Sequence, residues 1–213
     1  RATATSLGLA FAAASLSVTL SFGLVIARRA LELRRGAGKP GLTERLFDNG
    51  AMMVLVIPPI VIGAGWFVLL RNFVDVFQIA PIMVVSVNAV MALPFAMRII
   101  RPAYDAASQR HERLCASLGI GGFARLKLID WPPMRRPALL AFAFAMALSL
   151  GDLGVIALFG SDQVQTLPYL LLQRMGSYRT ADAAGLALFI GILCLGLMAI
   201  AGREKAGANV ARE

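Results

Sequence analysis

Residues 3–27 contain no charged side chain, and the run ends at the pair Arg28-Arg29. An α-helix needs about 20 apolar residues to cross the hydrocarbon of a bilayer, so this stretch alone commits the chain to lipid. Four further stretches of comparable length, 51–70, 80–100, 138–159 and 182–202, are nearly as apolar. With 58% apolar and only 15% charged residues, against about 25% charged in soluble chains, a water-soluble domain lacks the polar helix faces it would need. The expectation is an all-α membrane protein, a five-span helical bundle forming a single transmembrane domain over residues 1–213.

The net charge of +9 is distributed in a way that speaks for topology and against a nucleic-acid partner. Seventeen of the 21 Lys and Arg fall between the first two spans, in the central segment, or after residue 202. Arg1, Arg71, Arg174 and Arg179 lie on the other side. An excess of Lys and Arg in the loops on one side marks that side as cytoplasmic. The chain begins with Arg1 and shows no signal-peptide pattern before the first span, so it reads as a piece of a longer protein. Cys115 and Cys194 fall in a loop and a span, positions that do not suit a disulfide.

The most informative segment is the basic loop 101–137. Ala107, His111, Leu114, Cys115 and Leu118 recur at helical spacing, and Gly119 follows as a residue that can take the left-handed conformation ending a helix. A second short helix around Phe123, Leu126 and Ile129 meets Trp131-Pro132-Pro133, where the prolines are expected to forbid continuation. Two short helices joined by glycines would make a projecting knob, although a loop lying flat on anionic headgroups would also suit the charge. Familiar chemistries are missing: Gly119-Ile120-Gly121-Gly122 is not followed by the Lys-Ser or Lys-Thr of a phosphate-binding loop. His111 has no partner at metal-ligand spacing, and no span carries a lysine or histidine base for hydrolysis.

Within the spans, Pro58-Pro59 should kink or break the second, and Pro94 is a kink candidate in the third. Asn88 either bonds a neighbouring helix or contacts a substrate. Asp152, flanked by Gly151 and Gly154, is costly in a membrane; it either caps a broken helix or lies on a substrate path.

The spacing Gly119, nine residues, Ile129-x-x-Pro132 resembles the conserved loop of binding-protein-dependent ABC importer permeases, with Trp131 at its leucine position. The Glu-Ala-Ala positions of that loop fall on Arg113, Leu114 and Cys115, with Glu112 adjacent. The resemblance implies the type I importer permease fold, and a coupling helix that docks on an ATPase through Glu112, Arg113, Leu114, Cys115, Ala116, Leu118, Gly119, Ile129, Trp131 and Pro132. Residues 149–160, Thr166-Leu167-Pro168 and Gly176-Ser177-Tyr178-Arg179 are further similar to the C-terminal half of thiamine importer permeases. That likeness implies a transport subunit, not an enzyme, of a bacterial inner membrane. Its implied partners are an ABC ATPase dimer, a second permease half, a periplasmic binding protein and membrane lipid; ATP sits on the ATPase and no cofactor or metal on this chain. A cationic cargo would suit Asp152, with Asn88 and an aromatic such as Tyr169 or Tyr178. The alternatives are a ferric-iron or other small-solute importer permease, or a membrane scaffold with a lipid-binding loop.

Overall fold

The computed structural model describes residues 1–35, 50, 53–76, 78–120, 122–160 and 164–210. Among these the regular elements are helical: α1 (Ala2–Arg35), α2 (Pro59–Leu70), α3 (Ala80–Ser117), α4 (Gly122–Arg125), α5 (Trp131–Leu150), α6 (Gly154–Phe159), α7 (Leu167–Gly176) and α8 (Thr180–Val210). A 3-10 turn at Val54–Val56 precedes α2, and a π turn at Leu126–Asp130 joins α4 to α5. Three stretches are long and apolar enough to cross a membrane, Ala2–Glu32, Ala80–Ser117 and Thr180–Gly202. Most of the first connection (36–49), and parts of the expected outer segments, lie outside the described residues.

The bundle is built on α1, α3 and α5, which pack against one another. Small residues make this possible: Ala10, Ala13, Ala14, Ser17 and Ser21 form a buried stripe along α1 at helical spacing. Lipid gives no hydrophobic drive between helices, so close backbone approach supplies the packing energy. One core cluster joins Ala10 and Ala14 to Ala92, Ala145, Met146 and Leu150; another joins Val25 to Ala96, Ile100, Tyr104, Met134 and Ala141. A third holds α6 against the start of α3 through Val84, Val87, Val155, Ile156 and Phe159. At Gly63 of α2 an added Cβ would stand 3.2 Å from Leu158 and 3.3 Å from Phe159, so glycine allows α2 and α6 to touch. By contrast α8 leaves Leu188, Ile192, Leu195 and Ile200 largely uncovered.

Several element boundaries differ from the expectation, for identifiable reasons. The break expected at Pro58-Pro59 is present: Pro58 precedes the first turn of α2 and Pro59 opens it. Proline at the first helical position forfeits no bond, because that N–H has no partner anyway. The third apolar stretch does not end near residue 100. Instead α3 runs unbroken for 38 residues through Pro94 and Pro102, about 57 Å at 1.5 Å per residue, well beyond the roughly 30 Å hydrocarbon core.

The expected stop after Trp131 is likewise a start. Pro132 and Pro133 occupy the first turn of α5, and the π turn before them has the Trp131 N–H bonded five residues back to the Leu126 carbonyl. Two prolines cannot donate into a regular ladder, and the wider turn absorbs the mismatch. The fourth stretch breaks between Leu150 and Gly154, where the glycines flanking Asp152 pointed to a broken helix, and the expected outer loop 160–181 contains α7.

Candidate functional site

Two polar centres stand out against the apolar bundle. The first is a cavity of about 210 Å³ lined by Pro59, Asn88, Met91, Phe95, Leu148, Ser149 and Asp152. Each lining group is placed by a local feature. Asn88 sits on the buried face of α3 and donates from Nδ2 to the Ser149 Oγ of α5 at 2.8 Å. Asp152 occupies the gap between α5 and α6, where its Oδ1 accepts the Gly154 N–H at 3.0 Å. Gly154 also lies close to α2, since an added Cβ there would be 3.6 Å from the Ile60 nitrogen. The Asp152 Oδ2 is buried and has no hydrogen-bond partner among the described residues. The carboxyl is thus held at the start of α6, where the Gly154 N–H and the Val155 N–H both face it, which is the capping reading of Asp152.

The second centre is the basic end of the bundle, where α3 extends as a stalk beyond the apolar run. The stalk is strapped to α1 by ion pairs: Arg29 to Glu112 at 2.6 Å, Arg28 to Asp105 at 3.7 Å, and both arginines to Glu32. At its tip Gly119 has φ +64, and the Ile120 N–H bonds the Cys115 carbonyl while the Gly119 N–H bonds Ala116. This is a Schellman cap, which a residue without Cβ closes at no steric cost. Gly122, at φ +59, turns the chain again into α4.

The return path is fixed by a buried clamp. Arg125 donates to the Ser108 Oγ at 2.9 Å and to its carbonyl at 3.3 Å, and its Nε lies 3.6 Å from the Asp130 Oδ2. Asp130 is only 2% exposed. Burial pushes its carboxyl above the usual range, with the Arg125 guanidinium pulling in the opposite direction. A carboxylate taken out of water needs a cation beside it; this one holds the π turn to the middle of the stalk.

The structure sorts the sequence-derived candidates. Arg113, Leu114, Ala116, Leu118 and Gly119 are exposed at the tip, with Leu114 and Leu118 more than half exposed. Cys115 is buried at 2%, and Glu112 is engaged with Arg29. The amphipathic face proposed over Ala107, His111, Leu114, Cys115 and Leu118 therefore splits: Ala107 and Cys115 point inward, and the two leucines point out. The ring nitrogen Nδ1 of His111 lies 3.0 Å from the Ala107 carbonyl.

Ile129 is half-buried, and Trp131 and Pro132 are exposed at the foot of α5. Asn88 and Asp152 share the cavity. Tyr169 instead packs near Phe159 and Gly160, and Tyr178, 91% exposed with φ +58, caps α7. Ser108, Arg125 and Asp130 were not singled out from sequence. Residues 125 and 130 are five apart, a spacing that does not share a face on an α-helix and becomes adjacent through the π turn.

A long helix that runs on past its apolar stretch, a capped tip with exposed leucines and a mostly apolar cavity holding Asn88, Ser149 and Asp152 define a helical membrane protein. The matching family is described as binding-protein-dependent transport system inner membrane component, over residues 20–203; the chain belongs to this family. It is 64% identical over 210 residues to the thiamine transport system permease protein of Brucella abortus (strain 2308), covering 99% of this chain and 37% of that protein. It is 39% identical over 206 residues to the protein of that name from Escherichia coli (strain K12), covering 97% and 38%. The chain thus spans less than two fifths of the length of these relatives. Among solved structures, an amino acid ABC transporter described with histidines shares the fold, with a TM-score of 0.68, 15% identity, and coverage of 96% of this chain and 91% of that one.

Proposed function

We propose that the chain is one transmembrane half of an ATP-driven importer for thiamine or its phosphates. It crosses the inner membrane five times, with the broken stretches 51–70 and 138–159 as the two spans beyond the three continuous ones. The chain catalyses no chemical step and carries no cofactor. An ABC ATPase dimer docks on the tip formed by Arg113, Leu114, Ala116, Leu118 and Gly119, and a periplasmic binding protein delivers cargo from the opposite side. A second permease half completes the path. Glu112, Cys115 and Ile129 shape the tip from within.

The observation that carries the cargo assignment is Asp152, faced by no cation among the described residues, beside a mostly apolar cavity that also holds Asn88, Ser149 and the Phe95 ring. A delocalised organic cation suits that combination: the carboxylate answers its charge, the ring its flat apolar face, and the amide and hydroxyl its polar substituents. At about 210 Å³ the cavity is smaller than the roughly 300 Å³ at which ligand pockets usually begin, which fits a path whose remaining wall comes from the second half. The deciding experiment is ATP-dependent uptake in vesicles holding the whole transporter. Labelled thiamine should accumulate, and unlabelled thiamine should compete where ferric iron does not. Uptake of iron, or of neither, would refute the assignment.

A further inference from the structure

On the side of the membrane away from the stalk, α7 ends in a cap that shows an aromatic ring to the outside. Contacts and charge agree on the side. The Leu167 N–H at the start of α7 donates to the Ser6 Oγ of α1 at 2.7 Å, and Ser6 lies about 33 Å of helix from the Arg28 that straps the stalk. After the cap, the uncharged run 183–202 of α8 holds 20 residues, about 30 Å, which fills the hydrocarbon by itself. Tyr178 and Arg179 stand before that run, past its outer edge.

The cap is a Schellman motif. The Arg179 N–H bonds the Arg174 carbonyl at 3.0 Å and the Tyr178 N–H bonds the Met175 carbonyl at 3.2 Å. Glycine usually takes the left-handed position of this motif; here Tyr178 holds it at φ +58, against the steric preference of a residue with a Cβ. The ring returns little to the fold, since Tyr178 is 91% exposed. Met175 beside it is 58% exposed, and the exposed Arg179 side chain makes no ion pair with another described residue. Arg174 and Asp182, 3.9 Å apart, tie together the two helix ends that flank the cap.

We infer that this cap is where the soluble binding protein docks, with the Tyr178 ring seated in a pocket of that protein and Arg179 answered by carboxylates at the pocket's rim. Tyrosine, methionine and arginine are the residues that protein interfaces enrich, and tyrosine and arginine dominate the few positions that carry most binding energy. Backbone strain held at an exposed side chain points to a use outside the chain. An aromatic that anchors a helix to lipid sits at the hydrocarbon edge and gains nothing from a left-handed backbone. A family whose transport depends on a binding protein supplies the soluble partner on this side. The inference rests on the proposed function and adds the place of contact.

The test is the binding of the cell's own periplasmic thiamine-binding protein, loaded with thiamine, to the whole transporter in nanodiscs, with melting temperature measured alongside. Tyr178→Gly suits the cap better than tyrosine, so the melting temperature should hold while affinity falls about thirtyfold, the scale of an interface anchor. Tyr178→Phe should keep most of the affinity. Arg179→Gln should lower it about fivefold and weaken its salt dependence. Equal affinity for wild type and Tyr178→Gly would overturn the inference, and a lower melting temperature in that variant would then give the ring to the membrane interface. A wild type that does not bind the protein at all would refute the importer reading itself, and the docking site with it.

Discussion

The two polar centres differ in what their carboxylates face. At the basic end the charges meet their opposites: Arg28, Arg29 and Arg125 are tied to Glu32, Asp105, Glu112 and Asp130 across three helices. In the mid-bundle cavity, Asp152 is faced by the backbone N–H groups at the start of α6 and, among the described residues, by no cation. Ion pairs between helices hold those helices together, whereas a buried carboxylate without a counter-ion is costly, a cost that a cationic guest would relieve. On the proposed function, the contrast would place force transmission in the stalk and recognition in the cavity.

The largest effect should come from orphaning a buried charge. Arg125→Ala leaves Asp130 without its cation and should destabilise the knob by about 3–5 kcal/mol. Hydrogen exchange across residues 108–130 would rise while the spans stay protected; unchanged exchange would mean that the clamp holds nothing. Asp130→Asn should cost less, because the Arg125 cation it leaves is the more exposed partner and keeps its bonds to Ser108.

Next in size is Gly119→Val, which forces a β-branched residue to φ +64 at about 1–2 kcal/mol. ATPase co-purification should fall while membrane insertion persists. Full recovery of the ATPase would detach the tip from docking.

The Arg29–Glu112 pair sets a smaller scale. Glu112 is partly exposed, so a double-mutant cycle with Arg29→Ala and Glu112→Gln should give a coupling of about 1 kcal/mol or less. A coupling above that would make this strap, not the clamp, the principal joint.

The smallest expected effect is a pH dependence. The Asp130 carboxyl is raised above its ordinary value of 3.8 by burial, so the folded knob binds its proton more tightly than the unfolded chain does. That contribution is complete below the ordinary value and is lost as pH rises through the folded one. Mild acidification should therefore raise the protection factors of residues 126–130, with the intrinsic pH dependence of amide exchange divided out, and Asp130→Asn should flatten the response. Lower protection on acidification would reverse the sign and contradict the assignment.

How much of this was legible in the chain depends on what each signal reports. Gly119 was readable because left-handed geometry is a local property of glycine. Asn88 was readable as a helix-joining amide, since a buried side chain needs a partner whatever the fold. Hydropathy placed the membrane exit near residue 100 but said nothing of the backbone: Arg98, Arg101 and Asp105 change the solvent around α3 without ending it. Pro132-Pro133 was misread because proline stops one helix and starts another by the same missing N–H. The Arg125–Asp130 clamp escaped notice because its spacing becomes a contact only in a π turn, which propensity does not foretell. Tyr178 was placed by aromatic character alone, and backbone geometry puts it at an exposed cap instead.

The central claim is that cargo recognition resides in the cavity and transmission in the stalk. It is tested most directly by measuring thiamine uptake and ATPase co-purification together for Asp152→Asn in the whole transporter. A charge-assisted contact of about 1.5–3 kcal/mol predicts uptake reduced roughly ten- to hundredfold with the ATPase bound as in wild type. Unchanged uptake, or loss of the ATPase alongside it, would contradict the division of labour.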